Sequence, residues 1–327
     1  MAQNKIERAQ ASDLEMRLAR RRAIEAAVRD GKWKEAHGEP VLLRDRFAAP
    51  LLRKALKMSG LYRRGLRNAL APIIRRVRFG FNDLPKSFDG FRILHLSDLH
   101  IDGMEGLAEV IAERISGLEA DLCVMTGDYR FKARGPCHDV YPRLRTVLSS
   151  IEARHGVVAI LGNHDDSEIA VELEKLGVRM LINEGVSLSM GSDCLGMLGV
   201  DDLHRYGCDD LAAALASVPA DAFKILLAHS PELWQQAAAA DIRLYLCGHT
   251  HAGQMCLPGV GALVMNARCP RPYTDGRWRH GVMLGYTSAG AGCSLLPLRY
   301  NCPPEITVIE LHSTLTSVSS ATHTCNS

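Results

Sequence analysis

Residues 91–100 read Phe-Arg-Ile-Leu-His-Leu-Ser-Asp-Leu-His, and this stretch decides the fold class. The run from Phe91 to Ser97 is mostly apolar, as in a strand that is buried on both faces. It ends in Asp98-Leu99-His100, where two polar residues alternate, so an extended chain places both on one side. Ligands and metal ions collect at strand ends in α/β sheets. The stretch therefore predicts an α/β protein with a polar site at a sheet edge.

Three later segments of similar composition also follow apolar runs of strand length, with a lone histidine, His229, before the last of them. They are Gly127-Asp128, Gly162-Asn163-His164-Asp165 and Gly248-His249-Thr250-His251. The strand runs cover 121–126, 157–161, 178–182, 196–200, 223–228, 242–247, 262–266, 282–287 and 305–311. Helical periodicity falls between the earlier runs, at about 105–118, 139–153, 167–176, 209–217 and 231–240. This order predicts layered sheets with helices on the outside.

The polar residue types in these segments point to metal binding. A single histidine at a strand end is usually structural, and Gly-Asp and Gly-Asn are common turn signals. Their repetition at one kind of strand-to-loop junction favours a metal site instead. More than half of the candidate ligands are nitrogens, which suits Mn, Fe or Zn better than calcium. Two such ions about 3.5–4 Å apart are the usual apparatus for displacement at phosphorus.

The order D-x-H, G-D, G-N-H-D, H, G-H-x-H resembles the calcineurin-like metallophosphoesterase superfamily over residues from about 91 to 311. Finer features resemble its bacterial YkuE-type branch, namely Leu96–Ile101, Thr126–Tyr129, Ala228–Pro231, Gly248–Gln254 and Pro303–Ile306. The resemblance implies the αββα fold of that superfamily, a two-sheet β-sandwich flanked by helices.

The resemblance also implies roles for individual residues. One metal ion would be held by Asp98, His100, Asp128 and His251, and the other by Asp128, Asn163, His229 and His249, so that Asp128 bridges them. His164 would face the scissile phosphate as a catalytic residue, and Asp165 would orient it or shape the rim. Two departures stand out. Ala252 replaces a second glycine, and Ala289 stands where an arginine commonly follows the serine, which puts substrate anchoring in doubt.

The implied activity is hydrolysis of a phosphodiester or pyrophosphate bond by a metal-activated hydroxide. Two divalent ions are the implied cofactors, with Mn²⁺ favoured over Fe or Zn. One substrate type in the superfamily is a nucleotide-linked lipid, UDP-2,3-diacylglucosamine. The alternatives are a broad-specificity phosphodiesterase on nucleotides or nucleic acid, and a metal-binding scaffold without catalysis. A scaffold would tolerate loss of His164 or of a ligand, yet all of them are present.

Two further residues are candidate substrate contacts, because loops carry much of the recognition in enzymes. His204 lies in the loop segment Asp201–Arg205. Arg271 lies in a segment that offers cations and aromatic rings. A solvated loop is an equally good interpretation of the second segment.

The charge is distributed unevenly along the 327 residues. Residues 1–90 hold 21 Lys/Arg and 10 Asp/Glu, whereas residues 91–327 hold 18 and 27. We therefore divide the chain into a basic, mainly helical arm (1–74), a catalytic domain (75–311) and a disordered tail (312–327). The arm contains helical patterns at 14–30 and 51–74, joined by a connection at 31–50.

Residues 51–78 combine Leu/Ile with nine Lys/Arg, which suits an anionic membrane surface as partner. Docking on the acidic body is an equal alternative, and nucleic acid is a weaker one.

The cysteines and hydropathy bear on the cellular setting. Ten cysteines are scattered without a C-x-x-C pair, which argues against a thiolate zinc site. No stretch approaches the roughly 18 apolar residues of a membrane span, and no secretory core is evident at the start. We therefore expect a cytoplasmic protein, with a peripheral location on the inner face of the membrane as the alternative.

Overall fold

The computed structural model describes the backbone of residues 2–32, 41–262 and 265–314. Its strands, in chain order, are β1 (Ile73–Phe81), β2 (Arg92–Leu96), β3 (Glu119–Ala120), β4 (Leu122–Met125), β5 (Glu152–Ala153), β6 (Val157–Ala159), β7 (Arg179–Met180), β8 (Glu184–Met190), β9 (Asp193–Gly199), β10 (Phe223–Leu227), β11 (Leu244–Cys247), β12 (Cys256–Leu257), β13 (Gly261–Ala262), β14 (Gly276–His280), β15 (Met283–Thr287) and β16 (Glu305–Ser313).

Within these residues the strands form two six-stranded sheets and two short ribbons, β12-β13 and β3-β5. The first sheet has the order β1-β16-β2-β4-β6-β7, in which β2, β4, β6 and β7 run parallel. The second has the order β14-β15-β11-β10-β9-β8, in which β15, β11, β10 and β9 run parallel. Parallel strands end at a common edge, so each sheet presents several carboxyl ends side by side.

The helices are α1 (Ala2–Arg29), α2 (Val41–Met58), α3 (Leu61–Ala69), α4 (Leu107–Ile115), α5 (Val140–Leu148), α6 (Ser167–Lys175), α7 (Leu211–Ala216) and α8 (Trp234–Ala239). The central apolar core lies between the sheets and includes Phe79, Ile93 and Val124 of the first and Ile225 and Leu246 of the second. A second core joins the outer face of the first sheet to α4, α5 and α6. A third joins the second sheet to α7 and α8. This layering confirms the predicted αββα sandwich.

The structure corrects the predicted arm at several points. The helical pattern over 51–74 is two helices, α2 and α3, and α2 begins at Val41 inside the predicted connection, of which residues 33–40 lie outside the described part of the chain. Residues 73–81 are a strand, because Val77, Phe79 and Phe81 alternate inward after Pro72. Arg75 and Arg78 pair with Glu305 and Glu310 on neighbouring β16.

At the other end of the chain, β16 continues to Ser313, past the predicted start of the tail. Residues 315–327 of that predicted tail lie outside the described part. None of the described helices is long and apolar enough to cross a membrane.

Candidate metal centre

The structure brings the predicted ligand residues together at one edge of the sandwich. These residues form two groups, and within each group the potential ligand atoms all lie within 4.8 Å of one another. One group is Asp98, His100 and His251, and the other is Asp128, His229 and His249. Asn163 joins the second group, since its Oδ1 lies 2.9 Å from Nε2 of His229. The first sheet supplies Asp98, His100, Asp128 and Asn163 from the ends of β2, β4 and β6, and the second supplies the remaining histidines from β10 and β11.

The backbone at these strand ends adopts a conformation that few residue types favour. Asp98, His100, Asp128, His249 and His251 all have φ between 38° and 71°. Non-glycine residues pay a conformational penalty in this left-handed region, and such strain concentrates at functional sites. Ala252, which stands in place of the expected glycine, shares this conformation with φ of 48°.

Glycines allow the strand ends to approach one another closely. A Cβ added at Gly162 would collide with the carboxylate and backbone of Asp128, and one at Gly248 would collide with Ser97 and the Asp98 carboxylate. Gly127 faces the backbone of Gly162 in the same way. These three glycines, which precede Asp128, Asn163 and His249, are therefore required by close packing rather than by a turn alone.

Hydrogen bonds fix the tautomers of two histidines. Nδ1 of His100 donates to the carbonyl of Arg130 at 2.8 Å, and Nδ1 of His229 donates to the carbonyl of Thr126 at 2.7 Å. In His100, whose ring is neutral, this leaves Nε2 with a free lone pair that points at the site, and in His229 it leaves Nε2 to a proton or a metal ion. Such carbonyl partners are typical behind metal-ligating imidazoles.

The donor atoms fit a cation. Nε2 of His100 lies 3.1 Å from Nε2 of His251, and Nε2 of His251 lies 3.4 Å from an Asp98 oxygen. In addition, Nε2 of His249 is buried and has no hydrogen-bond partner among the described residues. Buried nitrogens without partners are costly unless a hydrogen-bond donor or a metal ion satisfies them. The mixed carboxylate and imidazole set suits Mn, Fe or Zn.

Burial and neighbouring charges shift the acidities in opposite directions. Burial, reinforced by His164, lowers the pKa of His100 to about 3, and burial likewise holds the pKa values of His249 and His251 well below their usual range. Burial opposes charge on His229 too, but the carboxylates of Asp128 and Asp98 outweigh it and raise its pKa to about 10. Asp128 stays ionised, because His229 and His164 overcome its burial and hold its pKa well below the usual range.

His164 lies against this cluster with its own anchor. Its ring centroid is 4.8 Å from that of His100, and its Nδ1 donates to the carbonyl of Phe131 at 2.7 Å. Its backbone N–H donates to the Asp128 carboxylate at 2.8 Å. The histidine is only partly buried, so its Nε2 is the nitrogen available to a bound molecule.

Comparison with known proteins decides the family. The model of the calcineurin-like phosphoesterase family matches residues 91–253, which span the predicted ligands. A metallophosphoesterase of Bacillus subtilis, YkuE, is 33% identical over 71% of this chain and 82% of its own length. The chain belongs to the calcineurin-like metallophosphoesterase family. It is therefore a metal-dependent phosphoester hydrolase of the YkuE-type branch, as predicted.

Two other relatives extend the similarity. The phosphodiesterase YaeI of Escherichia coli is 30% identical over 68% of this chain and 82% of its own length. A transmembrane protein with a metallophosphoesterase domain from Bos taurus is 32% identical over 76% of this chain. The chain spans only 59% of the length of that bovine protein.

The structure assigns a supporting place to Asp165 in this metallophosphoesterase. Its buried carboxylate accepts hydrogen bonds from the backbone N–H groups of Asp128, Tyr129 and Gly162, at 2.8 to 2.9 Å. These bonds tie the loop after β4 to the loop after β6. Both oxygens are used in this way, so Asp165 lies where it can hold the loop of His164, and its predicted orienting role stays a prediction.

The two candidate substrate residues have different surroundings. The His204 ring lies 4.2 Å from that of His249, and its Nδ1 lies 3.2 Å from both carboxylate oxygens of Glu232. Arg271 is exposed and its guanidinium donates to the carbonyl of Ala262, in the β12-β13 ribbon. His204 therefore lies beside the predicted metal ligand His249, whereas the described contact of Arg271 is with the β12-β13 ribbon.

Sequence reasoning missed three residues that hold the site. Glu232 orients His204. The only sequence feature that pointed to Glu232 was its position three residues after His229. Arg299 is fully buried and donates to the carbonyls of His251, Ala289 and Gly292. Arg21 of α1 donates to the loop that carries His164. Arg299 contacts His251 and Arg21 contacts Gly162, both far away in sequence, so no local pattern could have identified these contacts.

Proposed function

We propose that this metallophosphoesterase hydrolyses a phosphodiester or pyrophosphate bond at a dinuclear metal centre. Asp98, His100, Asp128 and His251 would hold one ion, and Asp128, Asn163, His229 and His249 the other. The observation that carries the proposal is the meeting of two ligand groups beside Asp128, whose Oδ2 lies 3.5 Å from Nε2 of His100 and 3.3 Å from Nε2 of His229. When bound, such ions lower the pKa of water and neutralise phosphoryl charge.

His164 supplies the catalytic nitrogen in this proposal. The Phe131 carbonyl holds its Nδ1 proton, so Nε2 is left to contact a phosphoryl oxygen or the leaving group. In the protonated ring Nε2 would donate a hydrogen bond to developing charge or a proton to the leaving oxygen. The bond from its backbone N–H to Asp128 keeps the ring next to the proposed bridging carboxylate.

His204 and Glu232 would contact the part of the substrate beyond the phosphate. Glu232 is largely buried and His204 pairs with it, so the imidazole is held in one orientation beside His249. Burial opposes the charge on Glu232, but the hydrogen bonds and charge of His204 outweigh burial and lower the pKa of Glu232 to about 2. A fixed imidazole at the edge of the site suits a polar group on the leaving or retained side of the substrate.

A direct comparison of substrates tests the proposed reaction. The full chain would be loaded with Mn²⁺, Zn²⁺ or Fe²⁺ and given a bis-aryl phosphodiester, an aryl phosphomonoester and a UDP-linked diacylated sugar. We expect the diester or the pyrophosphate to be hydrolysed faster than the monoester. Inactivity on all three at full metal occupancy would favour the alternative of a metal-binding scaffold.

A surface of the N-terminal segment supports an anionic membrane as partner. Leu51, Met58 and Leu61 are exposed, the first two by 70% and 79%, and they alternate with Arg53, Lys54 and Lys57. Exposed apolar side chains among cations suit an interface of anionic head groups. Such a location would favour a nucleotide-linked lipid such as UDP-2,3-diacylglucosamine over the alternative of soluble nucleotides or nucleic acid.

Vesicle flotation tests this partner. Reversal of Arg53, Lys54 and Lys57 to Glu should abolish flotation with anionic vesicles, while hydrolysis of a soluble diester persists. Reversal of three exposed cations elsewhere, Lys86, Arg114 and Arg145, is the matched control and should leave flotation intact. Equal flotation of both variants would remove the membrane from the proposal.

A further inference from the structure

The N-terminal helix α1 reaches the loop that carries the catalytic histidine. Arg21, near the middle of α1, has no exposed surface. Its Nη2 donates to the carbonyl of Gly162 at 2.9 Å and to that of Asp165 at 2.7 Å. These carbonyls flank Asn163 and His164. Arg21, which is 141 residues before Gly162 in sequence, therefore holds both ends of this loop by hydrogen bonds.

The same guanidinium also holds the loop on the second-sheet side of the site. Its Nη1 pairs with the buried carboxylate of Asp201, and its plane lies 4.2 Å from the centre of the Tyr206 ring. The neighbouring Asp202 accepts hydrogen bonds from the backbone N–H groups of His204, Arg205 and Tyr206. One side chain thus links the loop of His164 to the loop of His204.

Glu25, one helical turn later, completes the arrangement. It accepts hydrogen bonds from the backbone N–H and the hydroxyl of Ser167, both at 2.8 Å, where α6 begins. It also accepts from Nε of Arg21 at 3.2 Å. The planar fork of arginine suits several acceptors at once, which a lysine cannot match. Every nitrogen of the Arg21 guanidinium therefore has a defined partner.

We propose that Arg21 is a positioning residue for hydrolysis, through which α1 fixes the loop of Asn163 and His164 against the loop of His204. The inference rests on the proposed function, since it assigns Arg21 to the geometry of that reaction. Displacement of a catalytic group by about 1 Å can cost about 10²-fold in rate. Helix α1 is accordingly part of the catalytic unit rather than a detachable arm.

Kinetics of the full-length, Mn²⁺-loaded protein test the proposal. For Arg21→Met we expect kcat on a bis-aryl phosphodiester to fall by about 10²-fold at saturating Mn²⁺. Arg17→Met is the matched control, because Arg17 lies one turn earlier and binds the carbonyl of Met180 and the carboxylate of Glu184 instead. Its kcat should stay within about twofold of the wild type. Equal kcat for Arg21→Met and the wild type would overturn the proposal.

A double-mutant cycle separates positioning from general destabilisation. If Arg21 acts through His164, Arg21→Met should lower kcat far less in a His164→Ala background than in the wild type. An equal loss in both backgrounds would show that Arg21 does not act through His164, and would refute its assigned role.

Hydrogen exchange gives a readout that does not depend on activity. Arg21→Lys keeps the charge facing Asp201 but cannot reach both loop carbonyls, so it serves should Arg21→Met not fold. We expect amides 162–167 to exchange faster in Arg21→Lys than in Arg17→Met. Unchanged exchange of these amides would contradict the role of Arg21, whether or not the wild type is active. Inactivity of the wild type on all substrates would count only against the proposed function.

Discussion

The two sheets deliver different chemistry to the same site. The first sheet contributes both carboxylates, Asp98 and Asp128, together with Asn163 and one imidazole, His100, and its loops are tied by Asp165. The second contributes imidazoles, His229, His249 and His251. The negative charge of the predicted ligand set therefore comes from the first sheet alone, whereas the second sheet supplies nitrogen ligands alone. We therefore expect ligands from the two sheets to differ in their importance for metal binding, and the predictions below test this difference.

The largest effect is expected on the first-sheet side. Asp128→Asn removes the carboxylate that is proposed to bridge the two ions, so both ions should be lost and kcat/KM should fall by more than about 10³-fold. Metal content by inductively coupled plasma spectrometry and diester hydrolysis measure this. The matched change on the second sheet, His249→Gln, touches one group alone and should leave about one ion per chain. Similar metal contents for the two variants would break the comparison.

His164 should separate catalysis from metal binding. His164→Ala is expected to lower kcat by about 10²- to 10³-fold while metal content stays unchanged, because the residue acts on charge or protons in the transition state. The exposed His138→Ala serves as the control and should keep full turnover. Full turnover of the His164 variant would show that the assigned catalytic role is wrong.

A smaller effect is expected from His204, which lies on a loop of the second sheet. His204→Gln should raise KM for a nucleotide-linked substrate by about fivefold, since a partly exposed hydrogen bond to substrate is worth about 1 kcal/mol. The value of kcat should change little, and a bis-aryl diester should show no effect. A loss confined to kcat would assign His204 to the chemical step instead.

The smallest effect concerns pH and a buried histidine of the first sheet that is not a predicted ligand. Burial lowers the pKa of His95 to about 3, whereas the unfolded chain binds that proton near pH 6.5. The unfolded state therefore holds more protons below pH 6.5, and the free energy of unfolding falls as the pH falls. Between pH 6.5 and 5.5 this one group should cost about 1 kcal/mol.

Urea unfolding of the metal-free protein measures this loss. His95→Gln, which can keep the hydrogen bond to Thr126, should flatten the fall in stability. An identical pH dependence in the variant and the wild type would contradict the low pKa of His95.

Much of this arrangement was predictable because it depends on local pattern. Buried parallel strands read as apolar runs, and ligands at their ends follow directly, as after β2. The edge strands β8 and β14 were missed. Neither offers an apolar run, since β8 has no buried residue and β14 buries only Trp278. The contacts of Arg21 and Arg299 depend on tertiary packing between distant segments, which single-sequence periodicity does not report.

The three glycines at the strand ends have a consequence for how this family diverges. A relative could keep every acid and histidine and still lose activity through a single methyl group, since any side chain at Gly127, Gly162 or Gly248 would drive the strand ends apart. Such a lesion would be invisible to a search that compares ligands alone. Inactive relatives should therefore be sought first among chains that have replaced one of these glycines. In such chains all the ligand residues would remain but could no longer bind the metal ions in the active arrangement.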